Sequence, residues 1–244
     1  MRIPPTKSKL KKLIFNFFYR FYRIYRGRWI YIQKREYEKI ALKYFKDTKR
    51  ILDIGCGAGE FINLDPKRIE GLDRNKENIK ACQQKGFRVV EGDATNLPFE
   101  DNSFDGIYSG HLIEHLMPED SYKFLKEIDR VLKKNGIFVI TAPLFHKGFH
   151  DDLTHTQPYP PKAIFHYLRI FPLEKNTHYT KEMIDCLYQV LYTKYRRRPF
   201  FKDIEKGNFW FLAPLLLMIS NILEKIKITW PKKTGYLIVM KKIK

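Results

Sequence analysis

The chain has 244 residues, 44% of them hydrophobic and 15% aromatic, enough for one globular α/β domain, with or without additions. Its formal net charge of +19 is unevenly placed: residues 1–50 hold 16 Lys/Arg against 3 Asp/Glu, residues 187–244 hold 13 against 3, and residues 51–186 hold 17 against 21. A near-neutral middle between basic ends points to a polyanionic surface, membrane lipid or nucleic acid, with a merely solvated basic face as the plainer alternative, while three widely spaced cysteines (Cys56, Cys82, Cys186) without a C-x-x-C pair speak against a disulfide framework or a zinc ribbon.

In chain order, residues 7–32 come first. Leu10, Leu13, Ile14, Phe17, Phe21 and Ile24 share one helical stripe, and Lys12, Arg20, Arg23 and Arg26 lie away from it. This spacing predicts a basic amphipathic helix suited to a membrane interface; packing on the domain or contact with nucleic acid are its alternatives. No uninterrupted apolar segment followed by a small-residue cleavage site is seen at the N-terminus, so the expected location is cytoplasmic, peripheral on the inner face of the membrane. Residues 36–45 predict a second helix.

Ile51, Leu52 and Ile54 then form a short apolar run with Asp53 as its single charge, leading directly into Gly55, Gly57 and Gly59. Such a strand and turn lets the backbone approach a ligand, and a second acidic residue, Asp73, closes the next strand as nucleoside binding requires. Only about 14 residues separate Gly59 from Asp73, so the first crossover must be short. Further expected elements are a helix capped by Asn75 and stopped by Gly86, strands at 88–91, 104–108 and 137–141, and a helix from Pro118 to Lys134 closed by Asn135-Gly136. Alternation of helices with apolar strands implies a doubly wound, mostly parallel sheet. The run 209–219 is strongly apolar but contains Pro214 and falls short of the ~20 residues needed to span a bilayer, leaving a surface-dipping or a buried helix; Tyr195-Arg-Arg-Arg198 is read as its basic flank.

Asp53-Ile-Gly-Cys-Gly-Ala-Gly59, Gly71-Leu-Asp73-Arg74-Asn75, Glu91-Gly-Asp93-Ala94, Ser103-Phe-Asp105 and Leu132 to Pro143 together resemble the class I S-adenosylmethionine-dependent methyltransferases, over residues 50–143 and again in the last strand. The resemblance implies a Rossmann-like α/β fold with a seven-stranded sheet, an added basic N-terminal helix over 1–35 and a domain over 36–244. Within that domain an α-helical insertion at about 144–230 would face substrate or membrane, and the last strand would lie at 236–241. It further implies S-adenosylmethionine as cofactor, bound by Asp53, Gly55, Gly57, Gly59, Asp73, Arg74, Asp93, Ala94 and Ser109. Asp73 would meet the ribose hydroxyls, and Asp93 with the Ala94 backbone the adenine edge.

His111-Leu-Ile-Glu-His115 matches the H-x-x-E-H of inverted zinc proteases, but it follows a strand and turn within a methyltransferase framework, which sets proteolysis aside. His111 is a candidate base for a substrate hydroxyl, with a packing or hydrogen-bonding role as its alternative. The segment containing Asp152-Leu-Thr-His155 resembles one found in methyltransferases linked to glycan or lipid-linked assembly; Asp152 and His155 could bind substrate or act as base, shape the loop, or hold a metal, with substrate or base preferred and no metal assigned. After the fourth strand, Ser109-Gly-His-Leu112 lacks the Asn/Asp-Pro-Pro-Tyr of base-amine methylation. The expected function is therefore O-methylation of a lipid-linked or glycan-type acceptor at an anionic membrane. An RNA methyltransferase and a catalytically silent membrane-binding module are the alternatives.

Overall fold

The computed structural model describes residues 36–146, 148–168, 187–197, 219 and 233–244. The chain divides into two compact units, one of Tyr37–Arg196 with Thr234–Lys244, the other of Met1–Glu36 with Arg197–Lys233. The expected helix over 7–32, the apolar run 209–219 (residue 219 apart) and Cys186 lie outside the described residues.

The larger unit begins with α1 (residues 36–44) and continues through β1 (Ile51–Ile54), β2 (Ile69–Asp73), α2 (Lys76–Gln84), β3 (Val89–Glu91), β4 (Phe104–Gly110), α3 (Pro118–Val131), β5 (Leu132–Pro143), α4 (Pro161–Tyr167), β6 (Tyr188–Arg197) and β7 (Lys233–Lys242). The seven strands make one sheet in the order β3-β2-β1-β4-β5-β7-β6. β1 to β5 pair in parallel, and β7 runs antiparallel to β5. The sheet is thus Rossmann-like and doubly wound, as the motifs imply.

Period-two alternation explains why both faces are covered. Leu52, Ile54, Phe138, Ile140, Ile238 and Met240 pack on one side with α3 residues Phe124, Leu125 and Ile128. Ile51, Val139, Leu237 and Val239 pack on the other with Ala41 and Phe45 of the α1 region and Cys82 of α2. A buried lysine closes the far end: Lys242 Nζ donates to the Asp129 and Leu132 carbonyls and lies 3.2 Å from Asp129 Oδ1.

Local chemistry sets most boundaries as expected. Asn75 caps α2 by accepting from Glu77 N and Asn78 N, Pro118 occupies the first turn of α3, and the first crossover holds only a 3₁₀ turn, Ile62–Leu64. Two expectations fail. α3 stops at Val131 and not at Lys134, because fully buried Leu132 turns into the sheet opposite Phe104; Asn135-Gly136 then lies in an irregularity of β5, with Asn135 at φ 66° and the register shifting between Phe104 and Gly106. The range 144–230, expected to be helical, contains β6. Arg196, in the run read as a basic flank, points its guanidinium to the Thr234 carbonyl at 3.2 Å, and burial pulls its pKa down.

Phe104 is fully buried, 4.9 Å edge-on to Phe99 and beneath the Arg50 guanidinium. Phe104→Ala should cost about 3–5 kcal/mol in urea unfolding; a loss below about 1 kcal/mol would show that the site can collapse around the deletion.

Candidate active site

The central strand β1 ends where the backbone must reverse. Gly55 N and Cys56 N both donate to the Leu72 carbonyl, at 2.8 and 3.1 Å, so the turn is tied to β2 from its first residue. Gly55, Gly57 and Gly59 have φ of 74°, 52° and 77°, in the left-handed region that disfavours side chains. Two of these glycines serve different ends. A Cβ on Gly59 would lie 2.8 Å from Phe87 and 2.9 Å from Cys82 Sγ, whereas one on Gly57 would meet nothing within 4 Å. Gly59 is packing; the open space beside the Gly57 Cα is where a ligand can approach the turn.

Asp73, at the end of β2 and 9% exposed, governs this turn. Its Oδ2 accepts from Gly57 N and its Oδ1 from Asn75 N, each at 2.8 Å. A carboxylate oxygen can accept more than one bond, so both retain capacity for hydroxyl donors. Asp53 is buried in β1. Burial, reinforced by its charge, pushes the Cys56 thiol and the Tyr108 phenol far above their ordinary values, so neither ionises near neutrality. Asp93 lies beyond β3, where Thr95 N and Oγ1 donate to its Oδ1 at 2.7 and 2.8 Å and hold its pKa below the usual carboxylate range; Arg74, exposed, lowers it further. Ala94 beside it is 9% exposed. These residues gather at the carboxyl ends of β1, β2 and β3, the expected ligand edge of such a sheet. Ser109 is different: it lies within β4, paired with Ile54 and Ile140, 1% exposed, its hydroxyl without a hydrogen-bond partner.

A second group forms beyond β4 and β5. His111 has φ 57°, an unusual backbone for a residue with a side chain, and its amide donates to Thr141 O. Its Nδ1 lies 3.1 Å from Oε1 of Glu114, whose side chain is 1% exposed. His115 and His155 stand with ring centroids 4.9 Å apart. His155 Nδ1 donates to Phe149 O at 2.7 Å, while Asp152 Oδ1 accepts from Thr154 N and Oγ1 in a local turn. Thr156 N and Tyr159 OH bond the Glu114 and Leu116 carbonyls, zipping the post-β5 loop to the post-β4 loop. Sequence reasoning chose His111, Asp152 and His155 but gave no role to Glu114 or Thr154. Both stand inside motifs it had noted, and their partners are up to 42 residues away in the chain.

Residues 52–140 match the family model described as a methyltransferase domain. This chain carries a class I S-adenosylmethionine-dependent methyltransferase domain. S-adenosylmethionine is the cofactor of that domain, and the open space beside Gly57 with the Asp73 carboxylate fits it. The methyltransferase domain is 38% identical over 114 residues to the phthiotriol/phenolphthiotriol dimycocerosates methyltransferase 1 of Mycobacterium ulcerans, and 34% identical over 114 residues to the fatty-acid O-methyltransferase of Mycolicibacterium smegmatis. Each alignment takes in 43% of this chain and 41% of the relative, so the match spans well under half the length of either. Among solved structures, a SAM dependent methyltransferase from Archaeoglobus fulgidus superposes with TM-score 0.57 and 27% identity, over 88% of this chain and 94% of that one.

Gly57→Ala should leave the fold intact, apart from about 1–2 kcal/mol for left-handed backbone, yet weaken S-adenosylmethionine binding on the order of 10-fold in calorimetry. Asp73→Asn, which replaces charged hydrogen bonds worth about 1.5–3 kcal/mol, should weaken it on the order of 10- to 100-fold. Unchanged affinity in both variants would move the cofactor away from this turn.

Proposed function

We propose that the chain transfers a methyl group from S-adenosylmethionine to an oxygen of a lipid or lipid-linked acceptor at the inner face of a membrane. The observation that carries this reading is a set of exposed apolar side chains near the His115–Thr154–His155 cluster: Met117 is 55% exposed, Phe145 67% and Leu153 98%. Met117 follows His115 by two residues, Leu153 precedes Thr154, and Phe145 reaches the cluster through ring contacts with His150 and on to Phe149 and His155. Large exposed apolar side chains around a polar centre suit an acyl chain better than a sugar or a base. The two mycobacterial relatives, a phthiotriol/phenolphthiotriol dimycocerosates methyltransferase and a fatty-acid O-methyltransferase, support the same class.

The cofactor supplies an electrophilic methyl on a sulfonium that departs neutral. This chain's residues then have three tasks. Gly55, Gly57, Asp53 and Asp73 would hold the methionine and ribose portions, and Arg74, Asp93 and Ala94 would border the remainder, while Ser109, buried within β4, would stand beneath the site and not touch it. His111, with Nδ1–H directed at Glu114, offers Nε2 to the acceptor hydroxyl and takes its proton, and Glu114 steadies the resulting imidazolium. The exposed apolar side chains exclude water and align the acceptor for in-line attack.

In this reading residues 1–35 form an interfacial basic helix, residues 36–244 the catalytic domain, and the basic ends supply affinity for anionic lipid. Among the described residues no helix is long and apolar enough to cross a membrane. Flotation of the full-length protein with anionic liposomes, alongside a version lacking residues 1–32, should show binding that falls with salt and is lost on truncation, together with labelled methyl transfer into an extracted lipid fraction. Steeply salt-dependent RNA binding without flotation would turn the reading to an RNA methyltransferase. Flotation without S-adenosylmethionine binding would turn it to a silent membrane module.

His111→Ala should lower kcat by about 10²–10⁴-fold with cofactor affinity unchanged. A rate within about threefold of the parent would remove His111 from proton transfer.

A further inference from the structure

The sequence motif H-x-x-E-H suggests a zinc site on one helix, and the structure does not build that one. His111 turns its Nδ1 to Glu114 from a left-handed backbone, and residues Ile113–His115 form a 3₁₀ turn, so His111 and His115 do not sit one helical turn apart on an α-helix face. A different trio converges instead. Glu114, His115 and His155 each present one donor atom, and these atoms lie within 4.8 Å of one another.

Both imidazoles are oriented for metal binding. His155 Nδ1 lies 2.7 Å from the Phe149 carbonyl, which can only accept, so Nδ1 carries the hydrogen and Nε2 the lone pair. His115 Nδ1 lies 3.1 Å from the Thr154 carbonyl and 3.0 Å from Thr154 Oγ1; that hydroxyl donates its own hydrogen to Asp152 Oδ1 at 2.6 Å and must accept from the ring. Metal-ligating histidines are held in this way, with the second ring N–H tied to a carbonyl or other acceptor. The His155 Nε2 is 3.8 Å from Asp152 Oδ2, beyond a hydrogen bond, so it keeps its lone pair.

Glu114 adds an independent observation. Its side chain is 1% exposed, Oε1 faces His111, and Oε2 is buried without a hydrogen-bond partner. An orphaned carboxylate oxygen at such depth is costly and calls for a cation or donor. The half-buried Arg196 interacts with Glu114 through charge, yet no hydrogen bond joins them.

We propose that Glu114, His115 and His155 bind a divalent transition-metal ion of the zinc class, joining the loop after β4 to the loop after β5. Two imidazoles and one carboxylate form a donor set suited to zinc and leave a fourth position open to an oxygen ligand. Donors on a tetrahedral zinc stand about 3.3 Å apart, so the three side chains need to close by on the order of 1 Å.

The test uses full-length protein freed of metal and then titrated with Zn²⁺ against a chromophoric chelator, with melting followed in parallel. One ion per chain and a raised Tm are expected. His115→Gln and His155→Gln should each weaken binding on the order of 100-fold and abolish the Tm rise, while His150→Gln, on the neighbouring exposed histidine, should change neither. No zinc uptake by the parent protein, or uptake undiminished in both glutamine variants, would overturn the proposal. If those variants do not fold, Co²⁺ added to the parent protein decides. Visible bands of a tetrahedral nitrogen–oxygen site support the trio, and a thiolate charge-transfer band or six-coordinate absorption overturns it. None of these readouts needs methyl transfer, so the metal site and the proposed acceptor can fail separately.

Discussion

One carboxylate holds the cofactor edge of this domain together. Asp73 stands at the end of β2 and accepts from Gly57 in the turn after β1 and from Asn75 at the start of α2. Three elements thereby meet at a single buried anion, whose paired hydrogen bonds are of the charged, stronger kind. Left-handed glycines have little steric preference of their own, and without that tether the turn would have many conformations to lose on binding. Because β1 is central in the sheet and β2 and β4 flank it, whatever fixes this turn also fixes where a ligand meets the sheet.

The acceptor side is built by different means. No strand continues into the loops after β4 and β5, and their order comes from a small number of polar ties: Thr156 and Tyr159 to the 114–116 backbone, Thr154 to His115, and Glu114 to His111. These ties lie beside exposed Met117 and Leu153, so a polar centre and an apolar rim share one region. Such an arrangement combines one small set of placed polar groups with unspecific apolar contact, which suits the lipid acceptor proposed above.

Charge is divided in a corresponding manner. Inside the sheet domain basic residues are paired: Arg130 with Glu127 and Asp101, Arg50 with Glu70, Lys133 with Asp105. The Arg130 hydrogen bonds hold Glu127 below its ordinary pKa. The basic excess lies in residues 1–50 and 187–244. Part of it, however, is internal. Lys242 is sealed against α3, and Arg196 against the Thr234 carbonyl, so not every positive charge near the C-terminus is available to a surface.

Period-two apolar strands, the glycine turn, Asp73 and the Asn75 cap are local signals, and they made the doubly wound fold, the short first crossover and a nucleoside-type ligand edge legible from residues alone, while the cofactor itself came from the resemblance of those motifs to a known family. Each depends on neighbours a few positions away, where backbone sterics and capping act. The end of α3 was not legible, because Leu132 leaves the helix to fill a place beside Phe104, some 28 residues earlier in the chain. β6 was missed although Tyr188 and Val190 are more buried than Gln189 and Leu191, a weak alternation for an edge strand. His111, Asp152 and His155 could be named from motifs, but only the folded structure sets Glu114 under His111, tips the two histidines toward each other and ties Asp152 into its own turn. The first and last of these are bonds across two or three residues that depend on local backbone conformation, whereas the approach of His115 to the 154–155 segment spans about 40 residues, and chain separation carries no pattern of charge or hydropathy from which such a contact can be read.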